Sequence, residues 1–229
     1  MYPISIIFLC VLCDFSASFA VIYSQLQVLI MRQIILASIS PRRKKLLDEI
    51  NLEYKVDPSD YEEVNDIKRS PQDLVLRHSF AKVLDVSRRY KQGDIIIGAD
   101  TVVLLDNEIL GKPTSEEDAF RMLKKLSGRT HSVITGIAVK EVEGATLLES
   151  VKSEVHFRPI DDNEIREYIV TGEPMDKAGA YAIQGIGEKF IEKVDGCYHN
   201  VVGLPILRMV KMLSNFIDIS QLNVKCDCE

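Results

Sequence analysis

Gln33-Ile34-Ile35-Leu36-Ala37, followed by Ser38-Ile39-Ser40-Pro41-Arg42-Arg43, is the stretch that decides the fold. The first five residues read as a core strand. Ser40 is a natural helix N-cap and Pro41 a natural first helical residue. Leu46, Leu47 and Ile50 then share one helical face. Strand, short loop and helix follow each other within about twenty residues. The helix start offers free N–H groups and the positive end of a dipole, which suits an anion. Arg42 and Arg43 stand in its first turn, where the helix itself disfavours cations. An anion of phosphate geometry would explain them. The competing reading makes Arg42, Arg43, Lys44 and Lys45 a solvated charged face.

Downstream the elements alternate. A second helix is expected from Ser70-Pro71-Gln72-Asp73, a capping-box-like start, to about Tyr90. Ile95-Ile96-Ile97-Gly98-Ala99 is a continuous apolar run, as in a strand buried on both faces, and it is expected to end at Asp100. Val102 to Leu105, then Asp106-Asn107-Glu108, predict a strand and turn. Thr114 to Glu117 cap a third helix stopped at Gly128. Two β-rich runs lie at about 130–140 and 146–157. A helix near 162–170, a loop at 172–187, a strand at 189–194 and a last helix from Pro205 complete an α/β chain with a mixed sheet.

Upstream, residues 1–30 do not fit this pattern. Asp14 is their only charge, and no Lys or Arg precedes Arg32, so a signal peptide is not supported. Asp14 also interrupts the apolar length a membrane span needs. The expected organisation is a non-core extension at 1–30 with Met31 as the functional start, one domain at 31–217, and a disordered tail at 218–229.

The 229 residues carry a net charge of −6, which argues against non-specific binding to nucleic acid or an anionic membrane. A local basic cluster could still hold a small polyanion. Five cysteines, an odd number, do not make a disulfide framework. Cys10-x-x-Cys13 and Cys226-x-Cys228 could be imagined as zinc ligands, but one pair lies in an apolar stretch and the other in the expected tail.

Asp100 closes a buried strand at the sheet edge where α/β proteins place ligands; a carboxylate there can activate water or hold a divalent metal, or simply cap a turn. The segment from Gly172 to Gly185 mixes glycines with charged and amide groups and has no regular period, as a binding loop would. Neither G-x-x-x-x-G-K-[ST] nor G-x-G-x-x-G occurs. The four histidines form no ligand pair and read as structural.

Six motifs occur in order: Leu36-Ala37-Ser38-Ile39-Ser40-Pro41-Arg42-Arg43, Gly98-Ala99-Asp100-Thr101-Val102-Val103, Gly111-Lys112-Pro113, Leu126-Ser127-Gly128-Arg129-Thr130-His131, the 172–185 loop, and Asn200-Val201-Val202-Gly203-Leu204-Pro205. Together they resemble the Maf family, also called septum formation inhibitor proteins, from about Met31 to Phe216. The resemblance implies a mixed central β-sheet flanked by helices, in two lobes around a deep cleft, often as a homodimer. It implies a cytoplasmic nucleoside triphosphate diphosphatase that hydrolyses between the α- and β-phosphates, aided by a divalent cation, Mg²⁺ or Mn²⁺. Residue by residue, Asp100 matches the proton acceptor. Glu63, Lys82 and Lys112 match charged catalytic residues of the cleft, with Glu62 adjacent to Glu63 in the same loop. Ser38, Arg42, Arg43, Thr101 and Gln184 match substrate-binding positions, and Glu63 and Asp100 would hold the metal. Thr101 after the aspartate resembles the branch acting on dTTP, UTP and modified uridine triphosphates, and a Gln184 amide offers both donor and acceptor to a pyrimidine. Ala182 stands where the family pattern has Gly. Two other readings are a non-enzymatic regulator of septum formation and a purine pyrophosphatase acting on ITP or XTP.

Overall fold

The computed structural model describes residues 32–63 and 70–224, and the described residues from Ile34 onward group into one compact unit. The expected extension at 1–30 and the cysteines at 10, 13, 226 and 228 lie outside the described residues. Among the described residues no helix is long and apolar enough to cross a membrane.

A seven-stranded mixed sheet runs through the unit in the order β2-β1-β3-β5-β6-β7, with β4 paired to β3. The elements are β1 (Ile34–Leu36), α1 (Pro41–Glu49), β2 (Lys55–Val56), α2 (Pro71–Ser87), β3 (Ile95–Leu105), β4 (Glu108–Leu110), α3 (Glu116–Leu126), β5 (Thr130–Glu141), β6 (Thr146–Phe157), α4 (Asp162–Val170), β7 (Ile191–Asp195), α5 (Tyr198–Val202) and α6 (Ile206–Leu213). β1 pairs in parallel with β2 and β3, and the remaining pairings are antiparallel. Three 3₁₀ segments, Glu173–Asp176, Ala178–Ala180 and Ile186–Phe190, occupy the expected loop.

β3 is the spine. Expected to end at Asp100, it continues to Leu105, because β5 pairs with it without interruption from Ile95↔Glu141 to Leu104↔Ser132. The ladder holds the polar Asp100-Thr101 pair in extended backbone. Side chains alternate across the strand. Ile95, Ile97 and Ala99 enter one hydrophobic cluster with α1 and α6, while Val103 and Leu105 enter a second with α3 and α4. Thr101 falls between the two on the same face. These clusters are the two lobes, built at opposite ends of one strand. The other face carries Ile96 and Val102, with Gly98 and Asp100 between them, and is covered by α2.

The glycines on that second face set the approach of α2. A Cβ on Gly98 would come within 2.7 Å of Val83 Cγ1 and 2.9 Å of the Ser79 carbonyl; one on Gly136, the cross-strand partner of Asp100, within 2.4 Å of the Val75 carbonyl. The helix therefore lies almost on the sheet backbone, which brings its Lys82 level with Asp100.

Caps mostly follow the sequence. Ser70 accepts from the Asp73 amide, Ser115 from Asp118, and Asp161 with Glu164 forms a capping box. Ser40 does not cap α1 with its side chain; its own N–H donates to Ser38 Oγ at 3.2 Å. α5 was not anticipated: it is a single short turn, seated by the wholly buried Asn200. The expected tail begins too early. Ile219, Leu222 and Val224 pack on the first cluster, and the Asn223 amide bonds to the Ile50 carbonyl at 3.1 Å. Burial of these apolar side chains holds 218–224 in place.

Candidate active site

The site arises from an incomplete edge of β3. β1 pairs with it as far as Ile97, where the Ala37 amide still donates to the Ile97 carbonyl at 2.8 Å. On the same side β4 pairs only from Val103 onward. Neither strand reaches residues 98–102, so Asp100 and Thr101 lie at a gap between two partners. A cavity of about 560 Å³ opens there. Ile183 and Val202 line it from one lobe, and Val103, Val133 and Tyr181 from the other.

Lys82 of α2 is the hub on the floor. Its ammonium lies 2.8 Å from Asp100 Oδ1 and 2.6 Å from Glu63 Oε1, and donates to the Ala99 carbonyl at 3.3 Å. The Lys82 and Asp100 side chains are only 11% and 8% exposed, so each needs the other. An unpaired buried charge would be strongly unfavourable. Glu63 is half-exposed and faces the same ammonium. Burial pushes its carboxyl up, but the charges of Lys82, His78 and Lys112 outweigh this and leave it below the ordinary carboxylate range.

Arg43 and Arg42 are neighbours with different environments. Arg43 donates from Nε to the Gly203 carbonyl at 2.9 Å, from Nη1 to Ser38 Oγ at 3.2 Å and from Nη2 to Thr101 Oγ1 at 3.2 Å. Thr101 Oγ1 in turn lies 2.9 Å from Thr135 Oγ1, which donates to the Asn200 carbonyl. The guanidinium thus ties the loop after β1, the middle of β3 and the turn after α5 together through neutral oxygens. Burial depresses its pKa, opposed chiefly by Asp100. Arg42 lines the cavity without a hydrogen bond or ion pair among the described residues, and so does Lys112. Burial lowers Arg42 as well, opposed by Asp176.

Eight of the nine residues singled out from the sequence line this cavity: Ser38, Arg42, Arg43, Glu63, Lys82, Asp100, Thr101 and Lys112. Glu62 makes no such contact with Lys82; Glu63 does. Gln184 is not among the lining residues; its side chain stands beside Tyr198. The loop around it is stapled by Glu173, whose carboxylate accepts from the Tyr168 hydroxyl and from the Ile186 and Gly187 amides. Ala182 is not among the residues of positive φ; Gly179 and Ala180 are, so alanine at 182 meets no backbone conflict.

Sequence reasoning missed Tyr61, Ser40 and the Asp176–Lys177 pair as lining residues. Lys177 is ion-paired to Asp176 and its side chain is 14% exposed. Both stood in the 172–185 stretch, but adjacent opposite charges give no hint of which one faces inward. Counting them, five cations (Arg42, Arg43, Lys82, Lys112, Lys177) face three carboxylates (Glu63, Asp100, Asp176). That leaves a formal excess of two positive charges in a chain whose net charge is −6. Such a cavity favours a polyanion.

Residues 33–216 match the family described as Maf-like protein. A dTTP/UTP pyrophosphatase of Dictyoglomus turgidum is 50% identical over 187 residues, covering 81% of this chain and 96% of that protein. A dTTP/UTP pyrophosphatase of Methanosarcina mazei is 48% identical over 185 residues, covering 80% and 93%. Among solved structures, a HAM1 protein from Coxiella burnetii aligns over 56% of this chain and 73% of its own, at 19% identity and a TM-score of 0.41.

Proposed function

The chain belongs to the Maf family, and from that premise we propose that it hydrolyses dTTP and UTP to the monophosphate and pyrophosphate. One observation carries the reading most: a cavity with a net cationic lining holds two carboxylates on one lysine, beside the unpaired cations Arg42 and Lys112. Cations that line a cavity without a carboxylate at ion-pair distance are well placed to meet phosphate oxygens. We place the catalytic domain from about residue 31 through the packed segment 218–224, with 1–30 as an extension outside it.

In this reading Arg42, Lys112 and Lys177 bind the triphosphate oxygens, and Arg43 holds the walls of the cavity together. Asp100 accepts a proton from the attacking water. The water oxygen bonds to the α-phosphorus, the bond from that phosphorus to the α–β bridging oxygen breaks, and its electron pair leaves with pyrophosphate. Lys82 keeps the Asp100 carboxylate in place and sets it beside Glu63. Positioning and charge stabilisation supply most of the acceleration.

Glu63 and Asp100 would hold Mg²⁺ or Mn²⁺. The donor set fits: both are hard oxygen donors, and one ammonium already lies within 2.6 and 2.8 Å of the two. Among the described residues no group of three or more His, Cys, Asp or Glu could hold a metal. Two carboxylates, completed by water and phosphate oxygens, suit Mg²⁺. When bound, the ion supplies neutralisation of phosphate charge. Thr101 and Gln184 support the pyrimidine preference. The Gln184 amide offers both donor and acceptor to a base edge, although it stands outside the cavity lining.

The test is pyrophosphate release from dTTP, UTP, pseudo-UTP, GTP, 7-methyl-GTP and ITP with Mg²⁺ or Mn²⁺. dTTP and UTP should be the best substrates, and no release from any of the six would overturn the reading. Asp100→Asn should lower kcat about 10²- to 10⁴-fold, the usual contribution of a general base. Its thermal midpoint should stay near wild type, because Lys82 keeps Glu63 as a charged partner.

A further inference from the structure

After β2 ends at Val56, residues 57–63 have no regular structure. Among the described residues their one backbone–backbone hydrogen bond runs from the Asp57 amide to the Leu36 carbonyl, at 3.1 Å. The segment nevertheless delivers Glu63 to Lys82. What holds it is a row of side chains on a single helix and the turn that continues it. His78, Lys82, Asp85 and Arg89 are spaced by four, three and four residues, which places them along one stripe.

Each member grips its own part of the segment. Arg89 Nη1 donates to Asp57 Oδ1 at 2.6 Å and to the Pro58 carbonyl at 3.0 Å, and Nη2 donates to Asp60 Oδ2 at 2.9 Å. Asp85 Oδ2 accepts from Ser59 Oγ and from the Asp60 amide, both at 2.9 Å, and from Arg89 Nη2 at 3.0 Å. His78 Nδ1 lies 3.0 Å from the Tyr61 hydroxyl. Lys82 meets Glu63 last, at 2.6 Å. An exposed ion pair by itself contributes little. Here one guanidinium and one carboxylate together bind four consecutive residues, so the positions of their partners are coupled.

We propose that Asp85 and Arg89 are positioning residues for the reaction: they clamp residues 57–60 so that Glu63 is presented to Lys82 and the cavity. Neither side chain lines the cavity. They act through another residue, and a small displacement of a charged group in such a site costs much rate. The proposal rests on the reading of Glu63 as part of the active site.

The experiment compares Asp85→Ala, Arg89→Ala, Arg89→Lys, Glu63→Gln and the double variant Asp85→Ala/Glu63→Gln, with dTTP as substrate. Asp85→Ala and Arg89→Ala should each lower kcat about 10-fold, with KM changed less than about twofold. Arg89→Lys, which keeps the charge without the fork, should recover part of the loss. In the Glu63→Gln background Asp85→Ala should cause no further loss, because both changes act on one group. Hydrogen exchange supplies a readout apart from turnover: amides of 59–63 should exchange faster in both alanine variants, while those of α2 stay protected. Should Asp85→Ala fold poorly, Arg89→Lys and Arg89→Ala carry the same comparison.

Wild-type kcat in the clamp variants alongside a slow Glu63→Gln would overturn the proposal alone. So would an equal further loss in the double variant, or unchanged exchange at 59–63. Wild-type turnover of Glu63→Gln would overturn the assignment of Glu63 and the clamp with it. No release by the wild-type protein would overturn the pyrophosphatase reading itself.

Discussion

Two adjacent arginines show what a residue's partners decide. Arg43 spends three donors on Gly203, Ser38 and Thr101, whereas Arg42 has no partner at hydrogen-bond distance among the described residues. Arg43→Ala removes a buried hub and leaves the Gly203 carbonyl short of a donor, which should lower stability by about 2–3 kcal/mol. Arg42→Ala should stay within about 0.5 kcal/mol of wild type but raise KM for dTTP about 10-fold or more through a lost charge-assisted bond to phosphate. Denaturant unfolding and steady-state kinetics on the two variants check this. Equal losses of stability would show that the arginines are not divided in this way. From the sequence, Arg42 and Arg43 were two cations in one helical turn, either phosphate ligands or a solvated face. Successive helical residues point about 100° apart, so neighbours need not share a fate.

At the scale of elements, the contact of α2 with β3 carries the active pair. Gly98 and Gly136 let the helix backbone approach the strand, and Lys82 and Asp100 meet because of that approach. Gly98→Ala should force the helix outward, lowering stability by about 1–3 kcal/mol, as overpacking does. It should also lower kcat by separating Lys82 from Asp100. Gly111→Ala is the control, since a Cβ there meets nothing within 4 Å. Thermal unfolding and turnover of both variants decide it; equal behaviour of the two would refute the packing argument. The apolar run at 95–99 was legible as a strand, yet the strand's extension through Asp100 and Thr101 was not. Polar residues usually end a buried run, and only pairing with β5 shows that the ladder continues.

The whole molecule feels pH through a histidine remote from the floor of the cavity. His131 is 2% exposed, its Nε2 lies 2.8 Å from the Tyr181 hydroxyl, and Phe157 packs edge-on against it. Burial, helped by the charge of His156, pushes its pKa down to about 3. In the unfolded chain it titrates near 6.5. Between these values the unfolded state binds the proton and the folded state does not, so this histidine lowers stability as pH falls below about 6.5. The loss at pH 5 relative to pH 7.5 is about 2 kcal/mol. His131→Gln keeps a polar partner for Tyr181 and cannot titrate, so its unfolding free energy should fall less over the same interval. An identical pH dependence in both proteins would exclude His131 as the source.

The sequence by itself determined the order of the longer strands and helices, but not of the short β2 and α5, together with most of the caps and the six motifs that carry the family. These depend on side-chain period and on hydrogen bonds spanning a few residues, so they are written locally. Tertiary structure decided which of those residues are committed and which are open. It showed that Arg43 is bound to Gly203, 160 positions away, while Arg42 faces the cavity. It placed Gln184 against Tyr198, turned Lys177 inward, and gave residues 57–63 their position through α2. Each of these outcomes depends on groups far apart in the chain competing for the same donors and acceptors, a competition that no local period records.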